Sequence, residues 1–133
     1  MKSKIVSKTE IPDWDFGDVT IKKFSFGGKL RLSTFTKKIS IDTVDDGKGG
    51  KKEQIIETNR DIDPFIVSTN TIAEGIHSVK DGNNYEYSLN PNSDLNEKVK
   101  FIQSDDVSYE AGKYLLTEIK KFNDELKESE KKN

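Results

Sequence analysis

Residues 109–127 read YEAGKYLLTEIKKFNDELK, and their spacing predicts an amphipathic helix. Ala111, Leu115, Ile119, Phe122 and Leu126 recur at intervals of four, four, three and four. That spacing lines them up on one face of a 3.6-residue helix. Tyr114 and Leu116 widen the stripe. Ser108 or Asp106 can cap the start, and Glu110 suits the positive end of the helix dipole. Lys120/Asp124 and Lys121/Glu125 are polar-face pairs four residues apart, in the weaker base-first order. Residues 128–133 are expected to fray and be flexible.

Towards the N-terminus, Asp94 with Glu97 three positions on predicts a capped short helix carrying Leu95, Val99 and Ile102 on one face. Asn90-Pro91-Asn92-Ser93 breaks the chain before it. His77–Lys80 and Tyr85–Leu89 flank Asp81-Gly82-Asn83-Asn84, a strand–turn–strand pattern. Residues 61–76 stay open. Pro64 argues against a central strand, and Asn70 and Gly75 argue against a long helix. Phe65-Ile66-Val67 is β-rich, while Ile72, Ala73 and Ile76 suit a short helical turn or a strand. Residues 45–52, DDGKGGKK, predict a flexible loop. It joins 36–44 and 53–59, each a short strand or an extended arm.

Val19–Phe26 alternates apolar and polar residues, with a slip of phase at Lys22-Lys23 that suggests a bulge. Gly27-Gly28 reads as a hairpin turn, with Leu30, Leu32 and Thr34 on the returning strand. On that reading Phe24, Phe26, Leu30 and Leu32 form the sheet core or an interface. Trp14 and Phe16 follow an irregular Ile11-Pro12 lead-in and can cover a sheet edge. Residues 1–8 are expected to be flexible. The predicted architecture is α+β: one domain over 1–133, with a small antiparallel β-sheet and hairpins followed by a C-terminal amphipathic helix.

The chain has 133 residues, of which 32% are hydrophobic and 35% charged. That is polar for a globular domain, though seven Phe, four Tyr and one Trp can anchor a modest core. With no cysteine, disulfides, thiol catalysis and thiolate-ligated metals are excluded, which fits a cytosolic protein. No signal peptide or membrane span is visible. The net charge of −2 hides a split. Residues 1–60 hold 13 Lys/Arg against 9 Asp/Glu, and residues 61–133 hold 9 against 15. The bases are scattered among acids, without the dense stripe of a duplex-binding surface. Such asymmetry instead suits a solvated surface, a weak anionic contact through Lys22, Lys23, Lys29, Arg31, Lys37 and Lys38, or protein assembly.

Chemistry has little to work with. His77 is the one histidine, so a His-centred metal cluster or a Ser–His–Asp array has a single imidazole. The acid pairs Asp13/Asp15/Asp18, Asp45/Asp46, Asp61/Asp63 and Asp105/Asp106 lie in polar segments, where both members stay ionised. None follows the twelve-residue calcium-loop pattern. GKGGKK lacks the order of a phosphate-binding loop. Phe24-Ser25-Phe26 with Lys29–Arg31 has too few aromatic positions for a single-strand reader. No cofactor, metal or catalytic residue is therefore expected. The terminal helix is the candidate partner-binding element, through Tyr114, Leu115, Ile119, Phe122 and Leu126, if it is not spent on the chain's own sheet.

Three segments together resemble the tail assembly chaperones of long-tailed bacteriophages: VTIKKFSFGGKLRLS at 19–33, TIAEGIHSVKDGNNYEYS at 71–88, and YLLTEIKKFNDEL at 114–126. In the last, Ile119, Phe122, Asn123 and Leu126 stand where the family closes on an "I..I...N.L" helix. The resemblance is one of layout over nearly the whole length. It implies a non-enzymatic, cofactor-free protein of the host cytoplasm. Such a protein binds the tape-measure protein, recruits tail-tube subunits during tail morphogenesis and then leaves the particle. The glycine-rich 45–52 loop departs from the family pattern. A tail-tube, connector or terminator subunit, possible self-association, or a general protein-binding domain remain alternatives. A membrane role is not expected, and nucleic acid is an unfavoured partner.

Overall fold

A computed structural model describes residues 1–35, 37–59 and 63–131. Strands β1 (Ser3–Val6), β2 (Val19–Lys22), β5 (Ile76–Lys80) and β6 (Tyr87–Leu89) form a sheet in the order β1-β2-β5-β6, with every neighbouring pair antiparallel. Strands β3 (Lys37–Asp45) and β4 (Lys51–Asn59) form a separate two-stranded ribbon. The helices are α1 (Phe26–Ser33), α2 (Pro64–Gly75), α3 (Leu95–Ile102) and α4 (Tyr109–Lys131). The chain is thus α+β, as its sequence predicts.

The core joins sheet and helices. Val6, Val19, Ile21, Ile76, Val79 and Leu89 from the strands meet Ile72 of α2 and Ala111, Leu115 and Ile119 of α4 in one buried cluster. The alternation of β2 explains its share: Val19 and Ile21 are wholly buried, while Thr20 and Lys22 are half-buried. The pairing irregularity in β2 falls between Thr20 and Ile21, opposite β5, and not at the lysine pair. Trp14 and Phe16 pack edge-on at 4.9 Å and both meet Phe101 of α3, closing one side of the core. The Trp14 Nε1–H donates to the Gly17 carbonyl at 2.9 Å.

The predicted 19–33 hairpin is not formed. Its first strand ends at Lys22, and Gly27-Gly28 lies in the first turn of α1. Ser25 caps that helix by accepting from the Gly28 N–H at 3.0 Å. Gly28 is buried against α2, where a β-carbon would meet Glu74 Oε2 at 2.6 Å. Arg31, one turn later, grips the same carboxylate through Nε at 2.5 Å and Nη2 at 2.9 Å. A close approach and a two-pronged ion pair therefore hold as helix a segment whose alternation reads as strand.

Residues 64–75 resolve as helix for local reasons. Pro64 occupies the first turn, where its missing N–H costs nothing, and Asp63 caps the Phe65 N–H at 2.9 Å. Asn70 and Thr71 donate back to the carbonyls of Ile66 and Val67, which occupies their polar groups inside the helix. Asp94 and Ser108 cap α3 and α4 as predicted, accepting from Glu97 N–H and Ala111 N–H. Helix α4 runs four residues past its expected end, to Lys131; Lys132 and Asn133 lie outside the described residues. The N-terminal segment predicted to be flexible contains β1, paired in register with β2 from Ser3↔Lys22 to Val6↔Val19.

The ribbon turns tightly within 45–52. Gly47 and Gly49 adopt positive φ, and Asp46 Oδ1 accepts from Lys48 and Gly50 N–H. Lys51 and Lys52 already belong to β4.

Candidate functional site

Of the five partner-binding residues expected on α4, Leu115 and Ile119 are wholly buried in the chain's own core, which corrects their assignment to a partner surface. Phe122 and Tyr114 are half-buried and pack against that core, and Leu126 is half-buried. The Tyr114 hydroxyl donates towards Glu10 at 3.4 Å. Burial, then Glu118 and Glu10, raise its pKa. The stripe first serves the fold, and little of it is left for a partner.

The four residues assigned to a sheet are elsewhere. Phe24 precedes α1 and packs against the core. Phe26, Leu30 and Leu32 are on α1, where Leu32 is half-buried while Phe26 is 82% and Leu30 53% exposed.

What the helices leave open is a groove of about 360 Å³ between α2 and α4. Pro64, Phe65, Ser68 and Ile72 line one wall, and Tyr109, Gly112, Lys113 and Leu116 line the other. Ile102 and Val107 also line the groove. Both walls follow helical spacing, so each helix presents a full stripe to the gap. Phe65 and Tyr109 stand 68% and 66% exposed. Gly112 matters most. A β-carbon there would meet nothing within 4 Å. Glycine in a helix interior costs about 1 kcal/mol relative to alanine, and no neighbour among the described residues requires it.

Several charged groups are committed to structure. Lys98 is 6% exposed and donates through Nζ to the Ile76 carbonyl at 2.8 Å. Burial first, then Lys22, pull its pKa down to about 8. Burial, then Lys98 and Lys22, also lower the pKa of His77. Asp18, Asp46, Asp81 and Asp94 accept backbone N–H groups in turns and caps. Among the described residues no group of three or more His, Asp or Glu could hold a metal, and no helix is long and apolar enough to cross a membrane.

Compared with family models, curated proteins and solved structures, the chain matches none. Helical walls carrying Phe65, Ile72 and Leu116, exposed rings at Phe65 and Tyr109, and open space at Gly112 suit an amphipathic helix whose large side chains lie one turn apart.

The sequence reading missed Phe65 and Tyr109. Pro64 argues against a central strand there and Asn70 and Gly75 against a long helix, which leaves 61–76 open, and Tyr109 precedes the apolar stripe. The available signal was Asp63-Pro64, a cap followed by proline at the first helical position.

Proposed function

We propose that this protein is a non-enzymatic assembly chaperone that shelters an apolar helical segment of a client protein in the α2/α4 groove. The open groove with Gly112 in its α4 wall is the observation that carries the reading. The client class follows the resemblance to tail assembly chaperones: a tape-measure protein is a long helical rod with apolar seams, and tail-tube subunits are the second partner. The working compartment is then the host cytoplasm, and no cofactor is required. Part of one small groove gives moderate affinity, which suits a chaperone that must let go.

Co-expression with a tape-measure protein tests this. The wild-type chain should keep the client soluble and co-purify with it. Phe65→Asp and Tyr109→Asp should lose both effects with their circular dichroism unchanged. If client recovery is unaffected by either substitution, helix docking in this groove is wrong.

A second reading rests on the ribbon. β3 and β4 form their own sheet, the register sets Ile41 opposite Ile55, and Ile55 is 73% exposed. Isolated two-stranded ribbons are marginal in water. A tail-tube or connector subunit would use such an arm on its neighbours. Rings or tubes formed by the purified chain, and lost on Ile55→Asp, would favour it.

A further inference from the structure

Two surfaces of this chain match each other. One is the groove between α2 and α4. The other is the outer side of α1, where Phe26 and Leu30 stand exposed one turn apart. Their helix turns Gly28 towards α2, so the large apolar pair faces away from the body. A short helix normally hides such a pair.

Its own groove is out of reach. Arg31 and Gly28 fix α1 beside Glu74, at the C-terminal end of α2. The far end of the groove at Phe65 lies roughly 13 Å from Glu74 along the helix, and no residue of α1 lines the groove. Only another molecule can bring an α1 face to it.

Charge favours the same pairing. Residues 19–41 hold six Lys/Arg and no acid, whereas residues 61–116 hold ten Asp/Glu and four Lys. Asp63, Asp105 and Asp106 lie one or two positions from the groove-lining Pro64 and Val107. None of the three forms an ion pair among the described residues. On α1, Lys29 is exposed, and its ammonium lies 5.6 Å from the Phe24 ring. Arg31 is already paired with Glu74, so Lys29 is the cation that α1 offers to the acidic residues beside the groove, whose own lining includes Lys113.

We infer that the α2/α4 groove receives Phe26 and Leu30 of α1 from a second copy of this chain, in a head-to-tail contact that a client helix displaces. The inference rests on reading the groove as a helix-binding site. The contact joins unlike surfaces, so each added copy leaves one α1 and one groove unfilled. It propagates into short chains or closes into a ring. Homotypic filling also gives the groove a cover before a client arrives.

Sedimentation velocity on the full chain tests this. A contact this small supports association at roughly 10–500 µM. The wild type should associate over that range, and less in 0.5 M salt. Phe26→Asp keeps the groove and loses the anchor; Tyr109→Asp keeps the anchor and loses the groove. Both positions are exposed, and Leu30→Asp with Phe65→Asp provides a second pair should either fail to fold. Each variant alone should be monomeric. Mixed at equal concentration, they should form a heterodimer and nothing larger. A wild type that stays monomeric, a single variant that associates as the wild type does, or a mixture without heterodimer overturns the inference. So does association lost only on Ile55→Asp, which would assign it to the ribbon. Client capture separates the two proposals, because Phe26→Asp should retain it. A heterodimer without client capture by any form leaves this contact standing and removes the chaperone reading.

Discussion

Gly75 lies so close to Ile119 that a β-carbon added to it would sit 2.3 Å from the isoleucine Cγ2 and 2.9 Å from its Cδ1. The end of α2 and the middle of α4 meet at this point, and both residues are wholly or nearly buried. Gly75→Ala should destabilise the fold by about 2 kcal/mol, because a packed core cannot absorb the methyl without moving one helix. The contact makes a further claim. In an Ile119→Ala background the same glycine substitution should cost at least about 1 kcal/mol less, since the opposing atoms are gone. Urea unfolding of the four proteins measures the coupling. Additive effects would show that the helices part here at no cost.

Asn123 ties α4 to the end of β2. Its Oδ1 accepts from the Phe24 N–H at 2.9 Å, and its Nδ2 donates to the carbonyls of Ile119 at 2.9 Å and Lys22 at 3.4 Å. The side chain thus stops β2 from continuing and hands the chain over to α1. Asn123→Ala leaves the part-buried Phe24 N–H without that acceptor and should cost about 1–2 kcal/mol. Asn123→Asp keeps the acceptor and should cost less. Equal losses in thermal or urea unfolding would mean that the Phe24 bond is not what the residue supplies.

These two contacts also show what was legible in the sequence. The stripe from Ala111 to Leu126, the caps Asp94 and Ser108, and the Asp81-Gly82 turn are local signals, and each corresponds to an observed element. The segment 26–33 misled because its own pattern is ambiguous. Gly27-Gly28 and alternating Leu30 and Leu32 satisfy a hairpin until Glu74, more than forty residues away, claims both Gly28 and Arg31. Strand β1 likewise depends on a distant partner. The groove was invisible for a related reason. It is the space two helices fail to fill, and its wall residues Phe65 and Tyr109 carry no periodic signal beyond their own helices.

Lys98 makes stability depend on alkaline pH. Its pKa falls from an ordinary 10.5 to about 8 in the folded chain, chiefly through burial. Below about pH 8 the amine is charged in both folded and unfolded chains, and the cost of holding a cation there is fully present. Between about 8 and 10.5 the folded chain has released the proton while the unfolded chain still binds it. Stability contributed by this residue must therefore rise with pH across that window, on the order of 2 kcal/mol. Other lysines and tyrosines also titrate there, so the comparison should be with Lys98→Met. The difference in unfolding free energy between pH 7.5 and pH 10 should be less favourable to high pH in the variant by that amount. An identical pH slope in both proteins would show that Lys98 reaches solvent.

Gly112 separates stability from binding. It lies inside α4 and lines the groove, and apart from the helix's own backbone and the adjoining residues no described atom stands within 4 Å of where a β-carbon would go. If the chain kept glycine there for its own fold, adding a side chain should do harm. The geometry predicts the opposite. Gly112→Ala should stabilise the protein by about 0.5–1 kcal/mol through helix propensity and reduced freedom of the unfolded chain. Gly112→Leu should fold as well as the wild type, while its side chain occupies the space a docking helix needs. Client capture and self-association should then fall at least tenfold together, with thermal unfolding no lower than in the wild type. A leucine variant that is stable and still binds normally would show that the occupant does not approach the α4 wall at Gly112. A destabilised alanine variant would show that the glycine serves the helix itself.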